Sequence, residues 1–99
     1  MIDKYYILKN KKPVEVDLIT WAHWFENSKD RIIVQEALPS GKWISTVFLG
    51  TDHNFGEGEP LFFETMVFTK KGGEEVDVER YSIYEEAEKG HQLLKEKYL

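Results

Sequence analysis

The chain has 99 residues, a formal net charge of −5, 41% hydrophobic and 31% charged residues, and no cysteine. One core is all that such a length can hold, so a single domain over residues 1–99 is expected, with the composition of an ordinary globular protein. The acidic balance argues against a protein that grips nucleic acid along its phosphates, which takes clustered Lys and Arg. Disulfides, thiolate nucleophiles and cysteine metal ligands are excluded outright.

No apolar run approaches the ~20 residues that cross a bilayer. "MIDKYYILKN" lacks the apolar centre and small-residue cleavage site of a signal peptide. The expected location is the cytoplasm, with no membrane contact. Fourteen percent of the residues are aromatic, and each buried ring removes a large area from water, so even a small core suffices.

"YYILKN" (5–10) reads as a short first strand, and Pro13 is expected to break regular pairing after it. "VEV" (14–16) is a second short strand or simply extended. "DLITWAHWFENS" (17–28) has Asp17 placed to cap a helix. Its apolar residues Leu18, Trp21, Ala22 and Phe25 recur at helical spacing. Asn27 and Ser28 suit its end.

"RIIVQEAL" (31–38) and "WISTVFLG" (43–50) are strands joined by a turn at "PSGK". "LFFETMVFT" (61–69) is apolar on both faces and is expected to be a central strand covered on both sides. "VDVERYS" (76–82) alternates and has one wet face. If residues pair so that their numbers sum to 144, Phe68 faces Val76, Met66 faces Val78 and Glu64 faces Arg80. A slip of one would set Met66 and Phe68 against charge. "SIYE" then reads as a capping box, with Ser82 as N-cap and Glu85 reaching back. A last helix follows to about Tyr98, with Ile83, Ala87, Gly90, His91, Leu94 and Tyr98 on one stripe. The expected fold class is α+β: an antiparallel meander of about four strands with two helices packed on one face.

Three places could carry chemistry. The first is "TDHNFGEGEP" (51–60), ten residues where a hairpin needs two to five. Gly56 and Gly58 allow close backbone approach. No helix start follows them, and Asp52, Glu57 and Glu59 would repel an anion, so a cation or a basic partner surface suits the loop better. Asp52 and His53 belong near its base, and Glu57 and Glu59 near its tip. The competing reading is an ordered Ω-loop in which Asp52 and Asn54 bond their own backbone and Phe55 tucks onto the core.

The second is the set Asp52, His53, Glu64 and His91. Glu64 shares a strand face with Phe62, Met66 and Phe68, where a bare carboxylate is costly. It needs Arg80, a metal or a raised pKa. Arg80 gives a structural ion pair; a metal site of His53, Glu64 and His91 is the alternative, although no "HxH" or "HExxH" spacing is present. The third is "WAHWFE" (21–26), where Trp24 lies off the main stripe and belongs to the core rim or to a partner surface. Gly90 is read as allowing close packing of the last helix on the sheet. No cofactor motif is present and none is expected.

The runs "STVFLGTDHNFGEGEPLFFETMVF" (45–68) and "ERYSIYEEAEKGH" (79–91), with a looser match at "PVEVDLITWAHWFE", resemble a group of small uncharacterised proteins of bacteriophages, prophages and bacteria. The resemblance implies a small accessory protein of mobile elements, of the kind that blocks or soaks up a host component, and transfers no catalytic residue.

The leading expectation is therefore a non-enzymatic binder of a host protein or small ligand, with counter-defence as one setting, through residues 51–60 and flanking aromatics. Its negative charge favours a basic protein partner. A small metal-assisted hydrolase using His53, Glu64 and His91 is the alternative, and a homo-oligomeric building block is a third.

Overall fold

The computed structural model describes residues 4–99; residues 1–3 of the N-terminal run lie outside it. In chain order the elements are β1 (Tyr5–Lys9), β2 (Lys12–Val16), α1 (Leu18–Asn27), β3 (Ile32–Ala37), β4 (Trp43–Phe48), β5 (Phe63–Phe68), β6 (Glu75–Tyr81) and α2 (Tyr84–Lys97). The fold is α+β, as the alternation and the capping signals imply. It has two antiparallel sheets: a β1–β2 ribbon and a four-stranded meander in the order β3-β4-β5-β6.

The ribbon corrects the expectation at Pro13. Asn10 and Lys11, with φ of 52° and 67°, close a two-residue turn, and Pro13 pairs with Leu8 inside the ladder. Each strand of a two-stranded ribbon is an edge. With Lys9 and Lys12 closing the turn, position 13 is one whose N–H points away from its partner, so proline removes no ladder bond.

α1 begins as expected: the Asp17 carboxylate accepts from the Thr20 backbone N–H at 2.7 Å. Its packing face is rotated from the expected stripe. Leu18 is 51% exposed, while Trp21 stacks near Tyr5 and Phe25, and Trp24 meets Phe48 edge-on at 5.8 Å. The aromatic rings, being larger than leucine, gain more from that contact.

In the meander the 144 register holds from Phe63–Tyr81 through Glu64–Arg80 and Met66–Val78 to Val67–Asp77. It fails at the end. A bulge on β6 sets Phe68 opposite Glu75, not Val76. The extra residue is accommodated where the strand is about to turn, a common place for a bulge.

The cap of α2 is also shifted. Ile83 is the N-cap, without a side-chain bond, and Glu86, not Glu85, reaches back to the Ser82 N–H. Glu86 is the third residue of the helix as it actually starts, which is where a capping carboxylate works.

Both helices pack on one face of the meander. On that face Ile44 and Val67 meet Leu38, Leu94 and Tyr98. Phe48 and Phe63 meet Phe62, Ala87, Trp24, Tyr84 and the ribbon residues Tyr6 and Leu8. The opposite face of β5 carries Glu64, Met66 and Phe68 and has neither helix on it, so this central strand is covered on one side only. At the other end of α2, the Tyr98 hydroxyl donates to Asp77 at 2.7 Å and Lys97 reaches the same carboxylate at 3.2 Å.

Gly90 allows the close approach expected of it. A Cβ there would strike the ring and hydroxyl of Tyr81. Gly90→Ala should therefore destabilise the protein in urea melts. Helix propensity alone points the other way, by about 1 kcal/mol.

Candidate functional site

The loop between β4 and β5 leaves the sheet at Gly50. This residue has φ +81°, and the rings of Phe25 and Trp21 lie where a Cβ would be. Its carbonyl accepts from the Tyr6 N–H at 2.9 Å. The loop base is thus fixed to both the ribbon and α1, and only glycine allows so close an approach at that backbone angle.

Beyond Gly50 the loop is closed by its own side chains. One oxygen of Asp52 accepts from the N–H of Asn54 and from the N–H of Leu61, both at 2.8 Å. The His53 N–H donates to the Leu61 carbonyl at 2.9 Å. The Asn54 side-chain amide donates to the carbonyls of Glu57 and Glu59, at 3.1 and 2.8 Å, and its oxygen accepts from the Gly56 N–H at 3.0 Å. Two Asx side chains therefore satisfy the backbone of a segment that has no ladder. Of the loop glycines, Gly58 has a positive φ, +112°, and Gly56 does not.

The ordered Ω-loop is thus present, with one departure: Phe55 does not tuck onto the core. It is 91% exposed, touched on one side by the His53 ring at 5.9 Å between centroids. Glu57 and Glu59 are exposed on the same loop. Trp24 stands apart from them, half-buried against Phe48 and Phe25.

Glu64 and Arg80 form the expected cross-strand pair. Arg80 Nε donates to Glu64 Oε2 at 2.9 Å, with the carboxylate side chain 11% exposed and the guanidinium 42%. The set His53, Glu64 and His91 is not brought together. Glu64 is on the open face of the sheet, and His91 lies under α2 on the covered face. Among the described residues no three His, Asp or Glu side chains are placed to hold a metal ion.

His91 instead belongs to a polar belt that the sequence reading did not single out. Its Nε2 lies 2.7 Å from Glu36 Oε2, and its Nδ1 lies 2.7 Å from Thr46 Oγ1. Thr46 in turn bonds Thr65 at 2.6 Å, and Lys95 holds the second Glu36 oxygen at 3.0 Å. The His91 and Lys95 hydrogen bonds keep the Glu36 carboxyl below its ordinary range. Nε2 thus faces a carboxylate acceptor, and Nδ1 faces a hydroxyl that can either donate or accept. Burial pushes the Tyr81 hydroxyl above its ordinary value beside Thr65, and that hydroxyl has no hydrogen bond of its own.

The order hydroxyl, imidazole, carboxylate is that of nucleophilic hydrolases. Here Thr46, Thr65 and His91 have no exposed surface at all, so no substrate reaches the hydroxyl and the belt is a structural device. The signal for it was in the alternation: Thr46, Thr65 and Glu36 fall on the same inward-facing positions as Ile44, Val67 and Val34.

No family model matches the chain, and neither a curated protein nor a solved structure shows significant similarity to it.

Two measurements check these assignments. Arg80→Ala should cost about 1–3 kcal/mol in urea melts, because the nearly buried Glu64 is left unpaired. Glu36→Gln should be less stable than wild type at neutral pH. A depressed carboxyl contributes stability above its unfolded value and loses it as pH falls through the folded one. The gap between the two proteins in urea melts should therefore close as pH drops below about 4.5.

Proposed function

We propose that this chain is a non-enzymatic binding protein that engages a basic protein surface through residues 51–60, with Phe55 as the anchor. The observation that carries this reading is the 91% exposure of Phe55 on a loop whose backbone is otherwise held by hydrogen bonds. A large aromatic ring left in water stabilises nothing in the free protein, and rings of this kind dominate binding energy when they enter a partner's pocket. A loop ordered before binding loses little entropy on binding.

Glu57 and Glu59 flank the anchor, and the −5 net charge extends the negative field around it. Such a field speeds encounter with a cationic surface and disfavours anionic ones. The projecting shape of the loop favours a macromolecule with a cleft over a small ligand, which needs a concave site in the protein. Asp52, Asn54, Gly56 and Gly58 shape the loop, His53 supports the ring, and Trp24 backs the scaffold. The resemblance to phage and prophage accessory proteins favours a host protein as the target and counter-defence as the setting.

The test is capture from host lysate with wild type, Phe55→Ala and a variant in which residues 52–59 are replaced by an Asn-Gly turn. Phe55→Ala should keep the wild-type melting temperature and weaken capture about 30-fold, or roughly 2 kcal/mol. Capture that survives both changes undiminished would refute the reading.

A further inference from the structure

The meander has a second face that neither helix covers. Cross-strand pairing places Trp43 beside Phe68, Ser45 beside Met66, Val47 beside Glu64, and Met66 beside Val78 on it. In most four-stranded sheets with one wet face these positions are polar. Here Trp43, Val47, Met66, Phe68 and Val78 make an apolar tract of half-buried side chains.

We infer that this face is where a second copy of the chain docks, sheet against sheet, in a weak two-fold dimer. It goes beyond the proposed role of the 51–60 loop and does not depend on it.

Charge selects the occupant. Two copies that each carry −5 repel one another over most of their surface. The open face is an exception. Glu64 is paired with Arg80, and Glu75, opposite Phe68, shares this face with Lys71, whose ammonium lies 5.1 Å from the centre of the Trp43 ring. A face with two cations, two carboxylates and an apolar centre meets its own copy without net repulsion. A strongly basic or strongly acidic partner gains nothing from it. Arg80 bonds Glu64 through Nε alone, so its two terminal amino groups remain available for a carboxylate of the second copy. A two-fold axis presents the same patch on both sides, which a self-balanced face satisfies.

Area sets the strength. Four strands at ~4.8 Å spacing and about six residues at ~3.3 Å make a face of roughly 400 Å² before side-chain relief is counted. Two such faces come to roughly 800 Å², below the ~1,200 Å² total at which stable specific complexes begin. The dimer is therefore a micromolar one, populated at high local concentration, with the sheets about 10 Å apart and their strands crossed by about 30°.

Sedimentation velocity over a concentration series is the first test. Wild type should shift from monomer to dimer between low micromolar and high micromolar concentration. Met66→Glu should stay monomeric with its far-ultraviolet spectrum unchanged. The absence of cysteine permits a second test that does not rely on a destabilising change. Ser45→Cys, at the middle of the open face, should be linked into covalent dimers by a bis-maleimide of ~10 Å span, and Glu88→Cys on α2 should not. Monomeric wild type at high micromolar concentration would overturn the inference. So would equal linking at positions 45 and 88, or a dimer that Met66→Glu leaves intact.

Discussion

The bond between His91 and Thr46 is the constraint around which the rest of the fold is arranged. A histidine with no exposed surface must satisfy both ring nitrogens inside the protein, because an unpaired buried polar group costs as much as several good contacts return. Glu36 and Thr46 are its two partners, and Thr65 completes the row. These groups come from β3, β4, β5 and α2, so one set of bonds fixes the register of three strands and the height of the helix above them. The apolar core is divided accordingly. Ile44, Val67, Leu38 and Leu94 lie on one side of the belt, and Phe48, Phe63 and Ala87 on the other. A shift of α2 by one turn would exchange apolar contacts at modest cost but strand the imidazole. The belt thus contributes specificity more than net stability, in the way that buried polar networks do when every member is paired.

This division also explains how a small domain supports a long loop. The β4–β5 connection leaves from the phenylalanine-rich half of the core, where Phe48, Phe62 and Phe63 pack with the ribbon and α1. Gly50 lets Trp21 and Phe25 close over the loop's first residue. The scaffold is rigid at the point of exit, so the loop's own hydrogen bonds need only order the loop itself. Function placed on such a loop costs the core nothing.

Element type and order were legible because they rest on local periodicity. Asp17 as a helix cap, the alternation of β6, and the Glu64–Arg80 pair all follow from spacing within a few residues or from one register choice. What was hidden depended on the third dimension. Pro13 reads as a breaker until the ribbon is seen to be all edge. Ser82 and Glu85 fit a capping box by spacing, and only the helix start, one residue later, shows that Glu86 is the carboxylate that reaches back. Leu18 fits the stripe better than Trp24, and only the position of Phe48 decides between them. His91 and Glu36 are 55 residues apart, a distance at which no pattern of spacing carries information. Phe55 was ambiguous for a different reason: an aromatic residue in a loop reads equally as an anchor inward or outward, and its exposure is a property of the closed loop, not of the residue.

Asp52 gathers both ends of the loop on one carboxylate oxygen, through the N–H groups of Asn54 and Leu61. That arrangement has an evolutionary consequence. The residues between the two tied positions make their hydrogen bonds only within the loop, to the Asn54 side chain, so their side-chain identities are decoupled from the strands on either side. Were this loop the recognition surface proposed above, its tip could be exchanged as a cassette while Gly50, Asp52 and Leu61 keep the frame. Variation among descendants of this chain would then concentrate between positions 55 and 60, and the strand cores would record common ancestry long after the tips had diverged.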